Sequence, residues 1–469
     1  VEFVNHTPFG AAAYRGLDVQ GREHEVVAAR VVYRLVPEWQ AAAAPGPPAD
    51  GAPTVLVPHV IDEGAPGLVT EDQYLAETGR SSVLAESDLA PFKPRCDVLV
   101  TGHSHAPYGR AAPQWLARLR VSQPTRHPKA PEEAPHRPPS RSSEIEPDFA
   151  ERLAWQESRR VWVQATVRAP GPDGERTRRV LLDKALEVHA PRRFVRSMLG
   201  WNIERSGAAL RVPLLWEHAY GGRWQVRAPN AAADAPALLD EVCYLNPLGC
   251  GWMPAELESA LRDARQAPLR ALPAPQFEYS GQPVQAPDVT PQPPGLTVAQ
   301  MAEQARRYRH RPAGFGPLGR AWTPRIQLAG RYDQHWLDER WPGLPQDFDM
   351  GYWCAAPADQ QIEFPEPDAY IELGNLIDPQ MCPSGHAVIP LPGHVASVLF
   401  HTAAGLLLGG PCVIDTLAVD TDAMTLAVVW RASVLHDADV KRAELRYSLS
   451  MHEPLFTAPA QGAAEEVYG

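Results

Sequence analysis

The stretch PCVIDTLAVDTDAMTLAVVWRASV (residues 411–434) is two apolar, β-branched runs joined by VDTDAM (419–424). Aspartate and threonine form turns readily, and the flanking runs suit a pleated, half-buried surface. The stretch reads as strand, turn, strand. Working outward, HVASVLFHTA (394–403) and KRAELRYSLSM (441–451) read as further strands on either side of it. EVVAARVVYRLV (25–36) is rich in β-branched residues, and CDVLVTGHSHA (96–106) begins apolar. RRVWVQATVRA (159–169) places Val161, Val163, Ala165 and Val167 on one face. RRVLLDKALEVHA (178–190) is expected to pair with it through the turn PGPDGE.

Helix signals are few. TVAQMAEQARRYRH (297–310) opens with Thr297 and Gln300 at capping-box spacing. PAELESALRDARQ (254–266) carries Leu257, Ala260, Leu261 and Ala264 on one helical face. Proline makes up 50 of the 469 residues, roughly twice average usage, which suits strands, turns and loops better than long helices. The expected fold is mainly β: antiparallel sheets, sandwich or barrel-like, with a few short helices and long proline-rich loops.

Three proline-rich segments, 40–53, 121–148 and 281–295, read as loosely ordered because they hold too little apolar surface to offset chain entropy. They divide the chain into a β-rich part over 1–120, a flexible insert over 121–148, a central β-rich part over 149–295, and a helix with further strands over 296–469. One continuous domain is compatible with the same pattern.

Composition narrows function. A net charge of −12 argues against a nucleic-acid or anionic-membrane partner, since both select basic faces. No run of apolar residues reaches membrane-span length, and no secretion signal is visible, so a cytoplasmic location is expected. Cys96, Cys243, Cys250, Cys354, Cys382 and Cys412 form no C-x-x-C and read as reduced and mostly buried.

Motifs with chemical potential each fall short. Gly314, Gly316 and Gly319 in PAGFGPLGRAWTPR (312–325) have dinucleotide spacing, but that site needs a strand before and a helix after. Charged EQARRYRHRPA precedes them and Pro324 follows, so they read as loop punctuation and no cofactor is expected. His103 and His105 offer two metal ligands without a third, so no metal is assigned. Asp347, Asp349 and Asp359 allow a paired-carboxylate hydrolase as an alternative, against a reading as turn-forming aspartates. No catalytic residue is assigned. Tyr332, Trp336, Trp341, Phe348, Tyr352 and Trp353 crowd one proline- and glycine-rich segment. They are either core anchors or a partner-binding groove, and are the candidate site residues.

Several ordered blocks carry a family resemblance: NHTPFG (5–10), SDLAPFKPRCDVLVTGHSHAP (87–107), LEVHAPRRF (186–194), VPLLWEHAYGG (212–222), NPLGCGW (246–252), LPAPQFE (272–278), PAGFGPLGRAWTPRIQLAGRYDQHW (312–336), LPQDFDMGYWCAAPADQQ (344–361) and DTLAVDTDAMTLAVVWRA (415–432). In this combination the chain resembles the DUF2169 family of bacterial proteins encoded beside type VI secretion genes. The resemblance implies a non-enzymatic adaptor or chaperone that loads an effector, often one with a PAAR-type domain, onto the VgrG spike. A structural component that stays on the spike is a further expectation to weigh.

Overall fold

The computed structural model describes residues 1–41, 51–61, 66–125, 166–167, 178–205, 207–232 and 234–449. The chain is mainly β, as the sequence predicts. The 411–434 stretch forms the strands Val413–Asp420 and Thr425–Leu435, paired antiparallel and closed by Asp420↔Thr425. The turn is held by the Asp420 carboxylate, which accepts from the Asp422 and Ala423 backbone N–H groups at 3.0 and 2.9 Å.

That hairpin lies within a curled sheet of 13 strands. On one side Thr425–Leu435 pairs with Glu23–Pro37, then Thr54–Val60, His386–Pro390, Tyr370–Gly374, Gln114–Pro124 and Arg178–His189 follow. On the other side Val413–Asp420 pairs with Cys96–Thr101, and then Gln361–Ile362 closes the edge. Pairing is mostly antiparallel. Cys96–Thr101 with Val413–Asp420, and Thr54–Val60 with His386–Pro390, run parallel. A second sheet orders Glu2–Asn5, Val440–Ser448, Val395–Thr402 and Leu407–Pro411. Period-two residues Leu426, Val428 and Trp430, with Val27, Ala29, Val31 and Tyr33, join one core with Val398 and Leu445 of the second sheet. Burying each such side chain contributes about 1.5–3 kcal/mol.

Two expectations need correction. Residues 121–124 end the strand Gln114–Pro124, where Val121 and Ser122 are fully buried, so the 121–148 segment starts ordered. Its residues 126–148 lie outside the described residues. The 281–295 segment contains the strand Asp288–Thr290, and buried Asp288 accepts from the Tyr220 hydroxyl at 2.6 Å and the Arg309 N–H at 2.8 Å. Satisfied polar groups order it together with Val284, which is buried against Phe194, Leu272 and Ala274. Where it is described, the expected partner run does pair antiparallel with Arg178–His189, at Thr166–Val167, and the other edge of Arg178–His189 pairs along its length with Gln114–Pro124. The rest of 159–169 and the turn after it lie outside the described residues.

The short helices are Leu257–Asp263, which buries Leu257, Ala260 and Leu261, and Val298–Ala305, which has the predicted Thr297–Gln300 capping box. Among the described residues no helix is long and apolar enough to cross a membrane. All six cysteines are free thiols; burial pushes Cys243, Cys250 and Cys412 up to about 12.

Burial also depresses the pKa of His105, His218, His310 and His394 below the ordinary 6.5. The unfolded chain therefore binds more protons just below pH 6.5, and stability falls as pH drops through that window. The urea midpoint is expected to be lower at about pH 5.5 than at about pH 7.5, above the carboxylate range. An unchanged midpoint would show that these imidazoles titrate alike in both states.

Candidate partner-binding surface

The six predicted aromatic residues separate into two groups. Asp333 caps the helix Gln334–Glu339 by accepting from the Trp336 N–H at 3.0 Å. Trp336 is half-buried, with its Nε1 donating to the Gly343 carbonyl at 2.8 Å, and the Tyr332 ring meets it edge-on at 4.8 Å. The Trp341 N–H closes back onto the Trp336 carbonyl at 2.9 Å. Tyr332 is 56% exposed, Leu337 52% and Trp341 65%, so 332–341 presents large apolar side chains to solvent.

Phe348, Tyr352 and Trp353 form the second group, with ring centroids 5.6 to 6.4 Å apart. Phe348 is buried and acts as a core anchor, while Tyr352 and Trp353 are half-buried on the turn Met350–Trp353. Buried Arg325 supports that turn. It donates to the Tyr352 carbonyl at 2.6 Å and the Leu318 carbonyl at 2.7 Å, and pairs with Glu86.

Trp353 also walls a cleft of ≈ 560 Å³ together with Thr70, Asp72, Tyr74, Ser87 and Arg320. That volume suits a small ligand. Its charges are partly engaged already: Arg320 donates to Asp72 at 3.0 Å, and its guanidinium lies 5.5 Å from the Trp353 ring. Sequence reasoning did not find this cleft. No local motif brings residues 70–90 beside 320 and 353; the tertiary fold does.

The carboxylates do turn chemistry. The Asp347 carboxylate accepts from the Arg331 backbone N–H at 3.0 Å and from its Nε at 2.9 Å. That backbone bond first, helped by the guanidinium, outweighs burial and holds Asp347 below the usual carboxylate range. A general acid needs the opposite shift. Asp349 accepts from the Gly351 N–H at 2.8 Å, and Asp359 from Lys184 and Tyr279, each at 3.0 Å.

The glycines of 312–325 frame no cradle. A Cβ on Gly314 would lie 2.8 Å from the Trp216 indole, and one on Gly319 would lie 2.6 Å from the Trp322 indole nitrogen. The Gly314 carbonyl accepts from Lys184 at 2.7 Å, and the fully buried Phe315 lies between the first two glycines. Close packing of the protein's own indoles explains Gly314 and Gly319. Pro324 falls in the first turn of Thr323–Ile326, where proline is tolerated.

His103 Nδ1 lies 2.7 Å from Asp422 Oδ2, and the His103 and His105 rings are 6.3 Å apart. A different set escaped sequence reading: Glu187, His189 and Glu278, with ligand atoms within 4.8 Å of one another. Glu187 and Glu278 face each other directly across strands Arg178–His189 and Phe277–Tyr279. Buried Arg192 pairs with Glu278, whose Oε2 lies 3.1 Å from His189 Nε2. Burial opposes ionisation of Glu278, but His189 and Arg192 outweigh it and hold its pKa down. Arg192 thus supplies the cation that the facing carboxylates require, and the cluster is an internal ion-pair network.

No curated protein and no solved structure matches the chain. The family described as an uncharacterized protein conserved in bacteria, DUF2169, matches residues 20–129 and 139–431. Those spans include the 312–336 block, the aromatic segment and the strand–turn–strand of 413–431. The chain belongs to the DUF2169 family.

Proposed function

We propose that this chain is a non-enzymatic adaptor that binds a type VI secretion effector, one bearing a PAAR-type domain, and helps load it onto the VgrG spike. The exposed segment 332–341 carries the reading. Tyr332, Leu337 and Trp341 are large, solvent-facing and mounted on a capped helix and a tight turn. Interfaces concentrate their energy in such tryptophan and tyrosine anchors. Rigid mounting lowers the ordering cost of association, and proline-rich connections act in the same direction. Asp347 and Asp349 both accept backbone N–H groups, a structural role that favours chain-bracing aspartates over the paired-carboxylate hydrolase.

The test is co-expression with the effector encoded beside this chain, followed by size-exclusion chromatography and titration. The wild-type pair is expected to co-elute, with the chain itself absent from secreted fractions. Tyr332→Ala with Trp341→Ala is expected to weaken the complex by about 2–4 kcal/mol. Failure to co-elute, with effector delivery intact after deletion of the chain, overturns the proposal. Recovery of the chain on the secreted spike would make it a structural component instead.

A further inference from the structure

The antiparallel hairpin Arg192–Ser197 and Gly200–Arg205 is joined by two residues, Met198 and Leu199, that are fully exposed at 104% and 100%. Tyr108, at 71%, is the next most exposed large apolar side chain among the described residues. Two-residue hairpin loops usually hold asparagine, aspartate or glycine. Here Gly200, at φ +119°, takes the unusual backbone conformation, so turn geometry asks nothing of the two side chains before it. The core asks nothing of them either.

The tip is nevertheless held in place. The Leu199 N–H and the Asn202 Nδ2 donate to the Ser197 hydroxyl oxygen at 3.2 and 2.9 Å, and that hydroxyl donates to the Gly200 carbonyl at 3.0 Å. Below it, Trp201 and Ile203 pack against the cluster of Phe194 and Leu272. The hairpin is also tied by its ladder to Ala271–Pro273. Two apolar side chains on an anchored mount lose little freedom on docking.

Charge distinguishes this end of the molecule. Leaving out buried Arg192, residues 193–205 and 257–270 hold six arginines and three acidic residues, whereas the whole chain has 44 basic and 56 acidic residues. The Arg196 N–H donates to the Arg270 carbonyl at 2.8 Å, which places the two segments side by side. We propose that the Met198–Leu199 tip inserts into an apolar pocket, rimmed by acidic side chains, on a partner protein. This deepens the adaptor reading and rests on it. An anionic bilayer fits less well: Arg193 pairs with Glu204 and Arg196 with Glu258, and the rest of the chain is acidic. Two apolar side chains on a chain of net charge −12 do not anchor a protein to lipid.

The experiment uses the full chain and the effector encoded beside it, comparing wild type with Met198→Ser/Leu199→Ser. Circular dichroism and thermal unfolding should match, because neither side chain packs in the fold. The double variant is expected to bind the effector about 100-fold more weakly. Added salt should weaken wild-type binding, as an acidic rim requires. Equal affinity of variant and wild type overturns the tip proposal and leaves the adaptor reading standing; no complex with wild type overturns both. A flotation arm with phosphatidylglycerol vesicles decides the source: tip-dependent flotation overturns the protein partner in favour of lipid.

Discussion

Arg431→Met is expected to lower the unfolding free energy by about 3–5 kcal/mol. Arg431 lies within the strand Thr425–Leu435 and is 4% exposed. Its Nε donates to Asp415 Oδ2 at 2.5 Å, and its terminal nitrogens donate to the Ala90 carbonyl at 2.6 Å and the Asp88 carbonyl at 2.8 Å. It also reaches the Tyr14 hydroxyl. The facing strand is irregular between Ile414 and Thr416, so Asp415 falls out of the ladder there, two residues past Val413, the ladder partner of Arg431. Burial opposes the charge on Arg431, and Asp415, with Tyr14 and Asp88, more than compensates.

Methionine preserves much of the volume but leaves the buried Asp415 carboxylate without its counter-cation, holding only the Thr416 hydroxyl, and removes the Arg431 donor from the Asp88 carbonyl. Unpaired buried charge costs far more than the intact pair contributes. Asp415→Leu combined with Arg431→Met should therefore recover part of the loss. Urea unfolding followed by circular dichroism measures both. A single-variant loss below about 1 kcal/mol would mean that water reaches the site and the network is not closed.

Gly221→Ala is the second severe case, with an expected loss of about 4 kcal/mol from backbone strain and overpacking together. Gly221 adopts φ +145°, a conformation essentially reserved for glycine. A Cβ there would lie 2.1 Å from the Asn246 carbonyl oxygen. That neighbour cannot retreat: the same carbonyl accepts from the Gly222 N–H at 2.9 Å. The buried Asn246 side chain also donates to the Trp216 and Tyr220 carbonyls at 2.8 and 3.0 Å. Since Trp216 packs against Gly314 and Trp322, damage should spread to the loop beneath the aromatic turn. A control Gly281→Ala, at φ +77° with open space around it, should cost less, from backbone strain alone. Equal midpoints for the two variants would refute the steric account.

Local signals were readable where local chemistry decides the outcome. The turn at 420–425 was legible because Asp420 bonds its own neighbours, and the cap at Thr297 because Gln300 is three residues away. The long strands at 23–37 and 425–435 were legible from their β-branched, apolar runs. The aromatic segment was legible as a cluster. Its division into a buried anchor, Phe348, and solvent-facing Tyr332 and Trp341 was not, because burial depends on what packs over each ring. The 281–295 segment was misread for a related reason. Its order comes from Asp288, bonded to Tyr220 and Arg309, and from Val284, packed on Phe194 and Leu272, all partners outside the segment.

By itself the sequence determined the mainly-β class, the closing turn of its central hairpin, the helix cap and the family, since each rests on residue types at short spacing or in fixed order. Only the tertiary structure decided that Cys96–Thr101 runs parallel to Val413–Asp420, that Asp415 meets Arg431, that residues 70–90 wall a cleft with Arg320 and Trp353, and that Met198 and Leu199 stand free. These depend on contacts between residues far apart in sequence, whose closeness is set by packing one curled sheet around a shared core. No short window contains both partners of such a contact.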